Sequence, residues 1–81
     1  INIKMKVEIY SKDFCGYCNA AKSLFESHGI NYLEHRMGYN GITKETLLEK
    51  VPDARTVPQI IIDDKVIGGY TELSTWFKTR E

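Results

Sequence analysis

Apolar Met5, Val7 and Ile9 alternate with Lys6, Glu8 and Tyr10, a period of two that predicts a first β-strand. Residues 11–14 read as a loop. From Gly16 the period lengthens: Ala20, Ala21, Leu24 and Phe25 recur at helical spacing, and Gly29 supplies a stop. Residues 30–37 predict a second strand, interrupted in its pattern by His35 and Arg36, and residues 38–41 a turn. Thr43 is a suitable N-cap for a short helix carrying Leu47, Leu48 and Val51 that ends near Pro52. Residues 59–62 form an uninterrupted apolar run after Gln59, as in a buried strand. Residues 63–65 read as a hairpin turn into Val66 and Ile67. Gly68 and Gly69 break that strand, and Thr71 is placed to cap a last helix burying Leu73, Trp76 and Phe77.

The predicted order is β-α-β-α-β-β-α, an α/β fold of four strands and three helices. The first β-α-β unit implies parallel strands with a right-handed crossover. The late hairpin adds antiparallel ones, giving a mixed sheet with helices on both faces. At 81 residues one domain spanning 1–81 is expected, with residues 1–4 read as upstream or added residues.

Composition narrows the function classes. Eleven basic residues balance eleven acidic ones, which argues against nucleic-acid binding. No apolar run approaches the ~20 residues of a membrane span, and no leader of the secretory type is visible. The expectation is a cytoplasmic protein. The chain has two cysteines, at Cys15 and Cys18. A bridge across so short a loop adds little through chain entropy, so the spacing argues for chemistry rather than stapling. Zinc would need four ligands, and His28 and His35 lack the spacing of a histidine pair.

Cys15 falls where the first loop enters the first helix. Free amide N–H groups and the positive end of the helix dipole favour a thiolate there. Lys12 adds positive charge and Asp13 partly opposes it. A depressed Cys15 pKa follows. An ordinary thiol, pKa ~8.5, is only about 3% ionised at neutral pH, so full ionisation gains roughly thirtyfold. Nucleophilicity falls in parallel, roughly 25- to 55-fold over a drop of ~3.5 units, so the clear benefit is to Cys15 as a leaving group. Cys18, about one turn further in, should be less exposed and able to resolve a mixed disulfide.

Three separated motifs resemble the dithiol glutaredoxins, in particular short bacterial and phage-encoded forms. They are Tyr10-Ser11-Lys12 before Cys15-Gly16-Tyr17-Cys18, then Thr56-Val57-Pro58, then Gly68-Gly69-Tyr70-Thr71-Glu72. The stretch Gly41-Ile42-Thr43-Lys44 followed by Leu47 adds to the likeness.

The resemblance implies a thioredoxin fold, with glutathione as co-substrate and electron donor. It implies a cis-proline at Pro58 and a glutathione site of Lys12, Tyr17, Thr56, Val57, Pro58, Gly69, Tyr70, Thr71 and Glu72. Within it, the Val57 backbone pairs with the glutathione cysteine, Lys12 faces a carboxylate and Tyr17 is an aromatic wall. Tyr70, Thr71 and Glu72 take the γ-glutamyl end, although the family often has Asp where Glu72 stands. Its clients are disulfide-bearing proteins, ribonucleotide reductase among them. It acts as a monomer without cluster, in the cytoplasm or, for a phage protein, the host cytoplasm. Glycine replaces the family's common proline at Gly16. Some glycine-bearing members hold a [2Fe–2S] cluster between two subunits through the first cysteine and glutathione, which would make Cys15 a metal ligand. A redoxin reduced by thioredoxin reductase is the nearer alternative.

Overall fold

The computed structural model describes residues 6–79. The expected strand residue Met5 and the residues read as upstream, 1–4, lie outside these. The elements are β1 (Val7–Ser11), α1 (Gly16–Ser27), β2 (Leu33–Arg36), α2 (Lys44–Lys50), β3 (Gln59–Ile62), β4 (Lys65–Gly68) and α3 (Tyr70–Thr79). This is the predicted order. The strands lie in the sequence β2-β1-β3-β4, with β1 parallel to β2 and antiparallel to β3, and β3 antiparallel to β4.

Strand alternation assigns the two faces of the sheet. Val7, Ile9, Ile60 and Ile62 point to one face, where Ala21 and Phe25 of α1 and Leu73 and Phe77 of α3 cover them. Tyr10 and Ile61 point to the other, beneath Leu47 of α2 and Val51 just after it. The expected helices on both faces are therefore present. β1 is central, and all five of its residues are buried. Glu8, which falls in the polar set of the alternation, is among them. Its carboxylate has a partner that makes burial tolerable, His35 Nε2 at 3.1 Å. The His35 ring in turn stacks on Tyr10 at 4.7 Å.

Three local features depart from expectation. β2 has four residues rather than eight. Ile30 and Tyr32 pack against the core ahead of it, and Ile30 N–H bonds Phe25 C=O at 3.0 Å, holding that segment to the end of α1. Gly68 continues β4 instead of breaking it. Its φ of +118° is open to glycine, and the register against β3 shifts between Ile60 and Ile61. Thr71 does not cap α3. The helix begins at Tyr70, and Glu72 reaches back to accept the Gly69 N–H at 2.8 Å. A glutamate at the third helical position closes this half of a capping box and also suits the helix dipole.

Elsewhere the local chemistry matches. Thr43 caps α2 in a reciprocal box with Thr46. Asp63 and Asp64, at φ +50° and +67°, make the two-residue hairpin turn that the strand twist favours. No helix among the described residues is long and apolar enough to cross a membrane.

Phe25 is fully buried where α1, α3 and the sheet meet, with Phe77 edge-on at 5.6 Å. Replacing Phe25 by Ala should cost about 3–5 kcal/mol. Thermal unfolding should shift down by about 4–8 °C per kcal/mol, measured by circular dichroism.

Candidate active site

β1 ends at Ser11, and residues 12–14 carry the chain to Cys15 at the N-cap of α1. Cys15 is in extended backbone geometry, and its Sγ accepts the Cys18 N–H at 3.1 Å. The sulfur thus meets an amide of the helix start, where negative charge is stabilised. Cys15 and Cys18 are disulfide-bonded, with Cα atoms 5.2 Å apart. Cys15 is 9% exposed and Cys18 1%, the order expected of an attacking and a resolving sulfur.

The second wall is the turn before β3. Val57–Pro58 is a cis peptide, as the resemblance implied. The Val57 carbonyl oxygen lies 3.9 Å from Cys15 Sγ. A disulfide sulfur carries no proton, so this is a contact and not a hydrogen bond. It nonetheless puts a backbone acceptor beside the reactive atom. Pro58 C=O faces Gly69, where an added Cβ would lie 3.4 Å from that oxygen and 3.3 Å from Glu72 Oε1. The third motif is thereby drawn against the second.

Two depressions flank this turn. One, about 190 Å³, is lined by Tyr17, Thr56, Pro58, Gly69, Tyr70, Thr71 and Glu72. Tyr17 and Tyr70 stand 5.9 Å apart along it. The other, about 240 Å³, includes Lys12, Thr56 and Val57. All of the residues implied for glutathione therefore line one depression or the other. One of them has a further task, since a Glu72 carboxylate oxygen is occupied by the Gly69 N–H.

The second depression also contains Lys44 and Arg55, which no motif brings together with Lys12 and which meet it only in the fold. Phe14 is also notable. It is fully exposed at φ +58°, directly before Cys15. Gly16 is open, since a Cβ there would meet nothing within 4 Å.

A carboxylate ties down the end of β1, from which the loop to Cys15 departs. Glu34 on β2 accepts Ser11 Oγ at 2.5 Å and Lys22 Nζ at 2.9 Å, with Arg36 Nε at 3.5 Å. It joins the end of β1, the middle of α1 and β2. Arg36 also pairs with Asp13 at 3.7 Å, and Tyr39 donates to Asp13 at 3.0 Å. The loop before Cys15 is anchored by these contacts. Burial alone would raise the Glu34 pKa. The hydrogen bonds from Ser11 and Lys22 and the charges of Lys22 and Arg36 outweigh it, and the net shift is downward. A folded-state pKa below the ordinary 4.5 stabilises the fold above that value and loses its effect as pH falls through the lowered pKa. Glu34→Gln should therefore destabilise by about 1–3 kcal/mol near neutrality. The gap from the parent should narrow as pH falls below 4.5 in a Tm-against-pH series.

Among the described residues no group of three or more His, Cys, Asp or Glu could hold a metal ion. A [2Fe–2S] cluster needs four protein or cofactor ligands. One chain offers Cys15, here bonded to Cys18, so the residues of a single chain do not make that site.

Comparison with known proteins agrees with this geometry. The family model described as Glutaredoxin matches residues 7–67. Glutaredoxin 3 of Escherichia coli (strain K12) is 40% identical over 67 residues, 83% of this chain and 80% of that protein. Glutaredoxin 1 from Francisella tularensis, complexed with cacodylate, superposes with a TM-score of 0.80 at 34% identity, covering 94% of this chain and 95% of that one. A buckwheat glutaredoxin–glutathione complex superposes at 0.79 with 28% identity, covering 93% and 70%.

Proposed function

The chain belongs to the glutaredoxin family, its Cys15–Cys18 pair makes it a thiol–disulfide oxidoreductase, and we propose that glutathione is its reductant. The observation that carries this is the position of Cys15 Sγ, which accepts the Cys18 N–H at the start of α1 and lies 3.9 Å from the carbonyl of Val57, in the turn whose residues line the two depressions.

The Cys15 thiolate attacks one sulfur of a client disulfide. The client S–S bond breaks, its other sulfur leaves as a thiolate, and a Cys15–client disulfide forms. Cys18, once deprotonated, attacks Cys15 Sγ. That gives the Cys15–Cys18 disulfide and releases the second client thiolate. Two electrons have passed to the client. Two glutathione molecules then restore the dithiol and leave as oxidised glutathione. With a glutathionylated client, Cys15 takes the glutathione directly, and a second glutathione releases it without Cys18.

In this scheme the glutathione cysteine pairs with the Val57 backbone as an added strand would. Lys12 faces the glycyl carboxylate. Tyr17 and Tyr70 flank the molecule, beside Thr56, Pro58 and Gly69. Thr71, near the free amides at the start of α3, takes the γ-glutamyl carboxylate. Glu72 faces the γ-glutamyl amine with the oxygen that does not cap the helix. That a structural neighbour, a buckwheat glutaredoxin, was solved as a glutathione complex supports glutathione as the ligand. Ribonucleotide reductase is proposed as one protein client, the single chain as the working unit, and the cytoplasm as the compartment.

Glutathione-coupled reduction of a small glutathione mixed disulfide tests the scheme. Cys15→Ser should fall to the uncatalysed rate. Cys18→Ser should keep that activity and lose turnover of intramolecular protein disulfides. A wild type inactive with glutathione but active with thioredoxin reductase would replace glutathione as the donor.

A further inference from the structure

The two depressions that flank the Val57–Pro58 turn differ in charge. The one at Tyr17 and Tyr70 carries an acid, Glu72, and no cation. The other carries Lys12, Lys44 and Arg55 and no acid. None of these three cations is ion-paired among the described residues. Asp13, the acid next to Lys12 in sequence, is engaged by Arg36 and Tyr39. The neighbouring Glu45, Glu49 and Asp53 do not line the depression.

In the glutathione scheme above Lys12 faces the one glycyl carboxylate, and that scheme gives no part to Lys44 and Arg55, which line the same depression. Their floor is apolar, from Met37, Leu47, Leu48 and Ala54. At about 240 Å³ and open to solvent, the space is smaller than the ~300–1,000 Å³ of most small-molecule sites. It suits side chains of an extended segment instead. Val57 belongs to its wall and also touches Cys15 Sγ, so the shelf begins at the sulfur. An extended chain advances about 3.3 Å per residue, so the first few residues beside a bound client cysteine lie over the shelf.

Resting on the disulfide-exchange reading, we propose that this shelf docks protein clients. It takes a segment that carries acidic residues among apolar ones on one side of the reactive cysteine. The opposite polarity at Glu72 sets the direction in which the client chain lies. Charge complementarity of this kind selects partners and speeds encounter.

Three synthetic peptides, each with one cysteine held as a mixed disulfide with thionitrobenzoate, provide the test. One has Asp and Leu before the cysteine, one has the same residues after it, and one has Asn for every Asp. The reduced protein attacks the peptide sulfur and releases thionitrobenzoate, followed by absorbance without glutathione. Wild type should prefer one acidic placement over the Asn peptide by roughly three- to tenfold, with the preference shrinking in added salt. Lys44→Gln with Arg55→Gln should abolish that ratio. Lys44→Glu with Arg55→Glu should invert it toward a Lys-bearing peptide, which loss of folding would not do. Equal wild-type rates for all three peptides, or a preference that survives both double variants, overturns the docking shelf. Wild-type release no faster than that of Cys15→Ser overturns the exchange reading beneath it.

Discussion

The position of one sulfur atom is the constraint on which the rest of the structure depends. Cys15 Sγ must meet the free amides of a helix and a backbone edge at once. The fold achieves this by running the central strand β1 directly into α1 and placing the turn before β3 alongside. β1 is buried on both sides, so its end point is fixed by packing from α1 and α3 on one face and α2 on the other. A thiolate at that point is stabilised by local dipoles that are already oriented before any substrate arrives.

Electrostatics then divide the surroundings of the sulfur. At the end of β1, Glu34 gathers Ser11, Lys22 and Arg36 and ties α1 and β2 to the strand end. Beside it, the exposed charges are sorted, cations on the α2 side and a carboxylate at the start of α3. The chain has no net charge, so a polar axis across the site arises from placement alone. The Asp13 contacts with Arg36 and Tyr39 contribute to that axis by keeping an acid away from the cationic shelf.

Most of the fold was legible because its signals are local. Periodicity gave the element order, Thr43 its helix start and the paired aspartates their turn. The reactive pair and its helix position were legible for the same reason. What escaped prediction depends on contacts distant in sequence. Glu8 falls in the polar set of the β1 alternation, and its burial shows only once β2 brings His35 beside it. Thr71 reads as a cap, but Glu72 reaches back to Gly69 and takes that place. Lys12, Lys44 and Arg55 share no motif and meet only across the fold, so their joint charge could not be read from spacing.

The most direct test of a sulfur stabilised by its place on the fold is the ionisation of Cys15 in the reduced protein. Its alkylation rate by iodoacetamide can be followed against pH, with the modified residue identified by mass spectrometry. A helix-stabilised thiolate predicts selective modification of Cys15 with a midpoint well below the ~8.5 of an ordinary thiol. Modification that begins only near that value, or that falls first on Cys18, would contradict it.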